Sequence, residues 1–83
     1  MPVRFVLYNR KGLIGLNIEI GAKIKNLRLS RGMTQEQLAE KCNISRTYMQ
    51  KIETAACSCT LDTLMDIAEA LNIPLKKLFE FRD

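Results

Sequence analysis

Histidine is absent from this 83-residue chain. The commonest general base and the commonest metal ligand are therefore missing together. Gly 4 and Pro 2 are few, which argues against long loops and multi-turn β architectures. No apolar run reaches the ~18 residues of a membrane span, so no membrane partner is expected. Arg4 breaks the N-terminal apolar stretch, and Arg10 and Lys11 end it, so no signal-peptide core is expected there. Cys42, Cys57 and Cys59 make an odd count. A reduced, cytoplasmic chain is the simplest reading. The Cys57-x-Cys59 spacing invites thought of metal or redox chemistry. Zinc, however, normally takes four ligands, and cysteines at this spacing rarely pair with each other. Inert thiols are expected, with Cys42 facing the core; a redox switch through Cys57 or Cys59 is the alternative. There is no glycine-rich phosphate loop and too little chain for a substrate cleft. An enzyme, a cofactor, a metal and a small-molecule substrate are all unexpected.

What is present describes one domain. A chain this short buries roughly 60–65% of its unfolded surface, enough for one modest core that oligomerisation would help. Apolar residues at 47% and charged residues at 27% are ordinary for a globular domain. The net charge of +4 points mildly to an anionic partner. That charge is uneven. Residues 1–31 carry seven basic groups and one acidic, whereas residues 60–73 carry three acidic groups and no basic one.

Residues 1–16 differ from the rest and are expected to form a separate extension ahead of a domain over 17–83. Residues 3–8 (VRFVLY) are β-branched and aromatic and read as a strand. Residues 9–12 are turn-like and 13–16 apolar again, which allows a hairpin, marginal unless it packs on something; Arg4, Arg10 and Lys11 could form an arm toward a minor groove, but a disordered or dimer-packing tail is the preferred reading. From Asn17 the period becomes helical. Ile20, Ile24 and Leu27 share a face, Asn17 is placed to cap, and Gly32 ends the helix. Thr34 with Gln37 forms a capping box for a second helix to about Cys42. Asn43 turns the chain, since Asn tolerates the left-handed conformation. Ser45 caps a third helix to about Thr54, with Met49 and Ile52 inward. Thr60 caps a fourth, with Leu61, Leu64, Met65, Ala68 and Leu71 as its apolar face. Pro74 opens a last helix carrying Leu75, Leu78 and Phe79.

Two short helices joined by about three residues, with small Ala39 letting them approach, are the informative feature. That is helix-turn-helix geometry, in which the second helix enters the DNA major groove. A rod of about 15 Å suits a groove about 12 Å wide. Arg46, Thr47, Gln50 and Lys51 point outward. Arg46 can pair bidentately with guanine, Thr47 can bond or pack on thymine, and Gln50 can pair with adenine or a phosphate.

The stretches LRLSRGMTQEQLAEKCNIS and TLDTLMDIAEALNIPLKKLF, with Ile52-Glu53 between them, carry a family resemblance. Residues 20–79 resemble the Cro and phage-repressor type of five-helix DNA-binding domain. Arg46-Thr47-Tyr48 also resembles controller proteins of restriction–modification systems. The resemblance implies a phosphate contact at Gln35, base reading by Arg46 and Thr47, and a base or phosphate contact at Lys51. It further implies that Arg28 pairs with Glu53. Ser45, Tyr48 and Gln50 complete the expected DNA-facing set. The chain departs from the family after Glu53. Residues 54–59 (TAACSC) offer neither a glycine for a left-handed cap nor a basic residue for a phosphate, leaving backbone amides and Ser58.

The expectation is thus an all-α, five-helix, sequence-specific transcriptional regulator. One recognition helix covers too few base pairs to find a site, so a homodimer on a palindromic operator is expected, with half-sites about 34 Å apart. Its interface is assigned to the last helix and tail, through Leu75, Leu78 and Phe81. A protein-interaction module, such as an antitoxin-like partner or coactivator adaptor, is the alternative. The β-like run at residues 3–8, able to extend another sheet, favours that reading.

Overall fold

The computed structural model describes residues 10–81. Four α-helices and a 3₁₀ helix follow one another: α1 (Arg10–Ser30), α2 (Gln35–Lys41), α3 (Arg46–Glu53), α4 (Leu61–Ala70) and the 3₁₀ helix Leu75–Phe79. All the regular structure among the described residues is helical.

Three helices start at the expected caps. Thr34 and Gln37 close a reciprocal box: Gln37 N donates to Thr34 Oγ1 at 3.0 Å and Thr34 N to Gln37 Oε1 at 2.8 Å. Ser45 Oγ accepts from Tyr48 N at 3.0 Å, and Thr60 Oγ1 from Thr63 N at 3.2 Å. All four α-helices also end alike. Gly32, Asn43, Ala55 and Asn72 take positive φ of 57–67°. The amide after each reaches back five residues, as in Met33 N to Arg28 O, Ile44 N to Ala39 O, Ala56 N to Lys51 O and Ile73 N to Ala68 O. This is the Schellman termination. At three ends the following residue, Met33, Ile44 or Ile73, packs against the core. At the α3 end it is the exposed Ala56, and the left-handed position falls on an alanine.

The start of α1 differs from expectation. Residues 10–16 are helical, so the turn and second hairpin arm are not formed, and α1 runs unbroken past residue 17. The reason is packing. Leu16, Ile20, Ile24 and Leu27 lie on one helical face against the core, so the helical period reaches back beyond Asn17. Asn17 is therefore inside α1 and caps nothing; its Nδ2 donates to Ser58 Oγ at 2.8 Å. The strand expected over residues 3–8 lies outside the described residues, as does Arg4, whereas Arg10 and Lys11 belong to the first turn of α1.

The core is built from Ile24, Leu38, Met49, Ile67, Leu71 and Leu78, all fully buried, with Ala39 and Cys42 among them. Small Ala39 sits where α2 meets its neighbours. Two assignments are corrected here. Leu61 and Met65 do not face inward; they are 68% and 47% exposed, because the inward face of α4 is already filled by Leu64, Ile67, Ala68 and Leu71. Leu78 is 0% exposed and has no surface to offer a partner, so it is a core residue and not an interface residue. Leu75 and Phe81 are half-buried and packed against the core. Phe81 lies at the core's edge, lining a surface depression with Ala22 and Asn26 of α1.

Candidate nucleic-acid interface

The α3 helix divides by its period into two faces. Met49, Ile52 and Glu53 are buried, while Arg46, Thr47, Gln50 and Lys51 are exposed. Ser45 is exposed at the cap, and its Oγ is engaged with the Tyr48 amide. Tyr48 is half-buried and packs on the core edge, so its ring braces the helix at the rim of the outward face. The expected DNA-facing residues of α3 therefore lie together on one exposed surface or at its edge. No acidic side chain stands among them, as an anionic groove requires.

Several contacts hold this helix. Arg28 Nε donates to Glu53 Oε2 at 2.8 Å and Arg28 Nη2 to Glu53 Oε1 at 3.1 Å, a two-point fork. Arg28 Nη1 donates to Met33 O at 2.7 Å. The two residues are only 6% and 8% exposed, so the pair is buried. Gln35 Nε2 donates to Glu53 Oε1 at 3.1 Å. The amide expected to meet a phosphate thus also ties the start of α2 to the end of α3.

Two contacts were not anticipated. Gly21 lies directly on the end of α3: a Cβ there would stand 2.6 Å from Ile52 O and 2.8 Å from Glu53 O. One turn earlier, the bond from Asn17 to Ser58 fixes the loop that leaves α3. Asn17, Gly21, Ile24 and Arg28 form one stripe of α1, at helical spacing, that seats α3. The only local sign of it was a glycine inside a helical pattern. Ser58, one of the loop groups left for a phosphate, accepts in this contact and keeps its O–H to donate.

The thiols divide as well. Cys42 is buried, and that burial, with the Asp66 carboxylate as a lesser cause, pushes its thiol up to about 11. Cys57 and Cys59 are half-buried and free. Among the described residues there is no group of three metal-ligating side chains. No described helix is long and apolar enough to cross a membrane.

The family described as "Helix-turn-helix" matches residues 24–78, from the middle of α1 to the 3₁₀ helix. The chain belongs to the helix-turn-helix family. This helix-turn-helix protein is a DNA-binding transcriptional regulator. It is 36% identical over 67 residues to the control protein C.BamHI of Bacillus amyloliquefaciens, covering 80% of this chain and 83% of that one. It is 42% identical over 59 residues to the immunity repressor of Bacillus phage phi105, covering 71% of this chain but 41% of the repressor. The crystal structure of the restriction-modification controller protein C.AhdI from Aeromonas hydrophila superposes with a TM-score of 0.75 at 28% identity. That match covers 76% of this chain and 96% of the controller. At the level of the family, these relatives are regulators and not enzymes.

Proposed function

We propose that this regulator binds a palindromic operator as a homodimer, each α3 reading one half-site. The observation that carries the reading is the exposed face of α3: Arg46, Thr47, Gln50 and Lys51 stand outward on a helix fixed from behind by Arg28, Gly21 and Met49. Arg46 donates two bonds to a guanine, Thr47 meets the neighbouring base, and Gln50 pairs with adenine or a phosphate. Lys51, one turn on, contacts a base or a phosphate. Ser45 and Tyr48 sit at the rim and meet the backbone. Gln35 has a second amide hydrogen for a phosphate while keeping its bond to Glu53. Work in the cytoplasm, where such DNA is found, follows from this role.

Control of restriction–modification genes is the narrower role proposed. Support comes from the extents of similarity: the match spans 83% of C.BamHI and 96% of C.AhdI, but 41% of the phage repressor. With Leu78 removed from the interface, Leu61 and Met65 of α4, 68% and 47% exposed, join half-buried Leu75 and Phe81 as its candidate residues. The β-like run at residues 3–8 that favours a protein-interaction module lies outside the described residues; the reading preferred here rests on the exposed face of α3.

Selection of bound duplexes from a random DNA pool tests the proposal. The expected product is a palindrome with half-sites about one helical turn apart. Recovery of an asymmetric site, or of no consensus, would overturn it.

A further inference from the structure

The loop between α3 and α4 carries two thiols that DNA reading does not use. Exposure alternates along it: Ala56, Ser58 and Thr60 are exposed, while Cys57 and Cys59 are half-buried. Both thiols pack against the core edge, one on each side of Ser58 in the chain. Ser58 points the other way and accepts from Asn17. The proximity of the thiols is felt chemically. Burial, and next the charge of Cys57, raise the Cys59 thiol above its ordinary value, with a backbone hydrogen bond opposing. Cys42 stands apart, buried beneath α2. The loop also starts without an apolar anchor. Its helix end rests on a left-handed alanine, followed by an exposed alanine where the other three ends place an apolar anchor.

We propose that Cys57 and Cys59 form a modification site, a dithiol that hydroperoxide oxidises to a disulfide within the loop. Cys57 attacks the peroxide as thiolate. An S–O bond forms, the O–O bond breaks, and the departing hydroxide takes up a proton to leave as water. The negative charge that opposed ionisation of Cys59 is now gone. Cys59 loses its proton and its sulfur attacks the sulfenic sulfur; the S–S bond forms, the S–O bond breaks, and a second water leaves. Two thiols have lost two hydrogens, and one hydrogen peroxide has become two waters.

Closure bends the loop. A disulfide holds its Cβ atoms about 3.5–4.5 Å apart, so closure draws the two side chains together across Ser58. Ser58 therefore moves off Asn17, and one of the contacts fixing the chain behind α3 is lost. Resting on the DNA-binding reading, this second step weakens duplex binding by about threefold to tenfold, the worth of one hydrogen bond.

The test uses the full chain with stoichiometric hydrogen peroxide, then alkylation, trypsin and mass spectrometry. The peptide spanning residues 52–76 holds both thiols and excludes Cys42. It should lose two hydrogens, resist alkylation, and regain both thiols with dithiothreitol. Cys59→Ser should stop at a sulfenic acid on Cys57, trapped by dimedone. Cys57 and Cys59 still open to alkylation, or a disulfide linking two chains or using Cys42, would overturn the site. These readouts need no DNA. Binding of the selected duplex is measured separately: oxidised protein should bind more weakly and the Cys57→Ser/Cys59→Ser variant should not respond. Equal affinity of oxidised and reduced protein would overturn the link to α3.

Discussion

Arg28 and Glu53 lie 25 positions apart, and only the resemblance to a family joined them in the sequence. Their burial was not legible there, since an ion pair on the surface contributes about 0–1 kcal/mol and no local pattern separates the two cases. In the structure Glu53 receives three donors from Arg28 and Gln35. Removing one partner leaves a buried charge uncompensated. Arg28→Ala or Glu53→Ala should each cost about 3 kcal/mol in urea unfolding. Arg28→Met with Glu53→Leu should cost less than either single change. A single-change cost under about 1 kcal/mol would mean that water reaches the pair.

Cys42 makes a second residue-scale statement. Its folded value near 11 lies above the ordinary 9.0. The unfolded chain therefore releases its proton first as pH rises. The stabilising contribution is complete below pH 9 and is lost between about pH 9 and 11, amounting to about 1–3 kcal/mol. Against Cys42→Ala, the parent protein should show this extra alkaline loss; parallel stability curves would contradict it.

At the scale of elements, what was readable depended on how local the cause was. The starts of α2, α3 and α4 are written in Thr34, Ser45 and Thr60, because a cap acts within three residues. The turn at Asn43 is equally local. The start of α1 is not. Residues 3–8 are strand-forming by propensity, and that preference was carried too far along the chain. Helicity of residues 10–16 depends on Leu16 meeting a core assembled from distant helices. The 3₁₀ helix is a related case: Leu75 and Leu78, three apart, line up in its tighter turn.

The end of α3 is the one termination with a poor residue. A left-handed alanine costs about 1–2 kcal/mol, partly offset by the unfolded-state entropy a glycine would add. Ala55→Gly should therefore raise stability by about 0.5–1 kcal/mol, seen as a higher denaturant midpoint with unchanged slope. A loss of stability would show that the Ala55 methyl makes contacts that outweigh the strain. By contrast, glycine is required at position 21, where backbone meets backbone.

At the scale of the whole molecule, composition foretold one small domain and a mild positive charge, and the order of motifs foretold a helix-turn-helix. The partner surface was less legible. Leu61, Leu64, Met65 and Ala68 share one broad apolar stripe, and a stripe does not reveal which edge remains uncovered. Only the packed core shows that Leu64 and Ala68 fill it while Leu61 and Met65 stay out. The homodimer proposed above would cover this pair. If that dimer forms through Met65, Met65→Asp should sediment as a monomer at micromolar concentration with little change in thermal stability. A monomeric parent protein at high micromolar concentration would remove the dimer from the account.

The central claim is that the outward face of α3 reads bases. Its most direct measurement is the affinity of Arg46→Ala for the selected duplex and for random duplex, at the same salt concentration. Loss of a bidentate base contact predicts a cost of about 1–3 kcal/mol on the selected site and much less on random DNA. Equal losses on both duplexes would show that Arg46 holds only the phosphate backbone and would contradict the account.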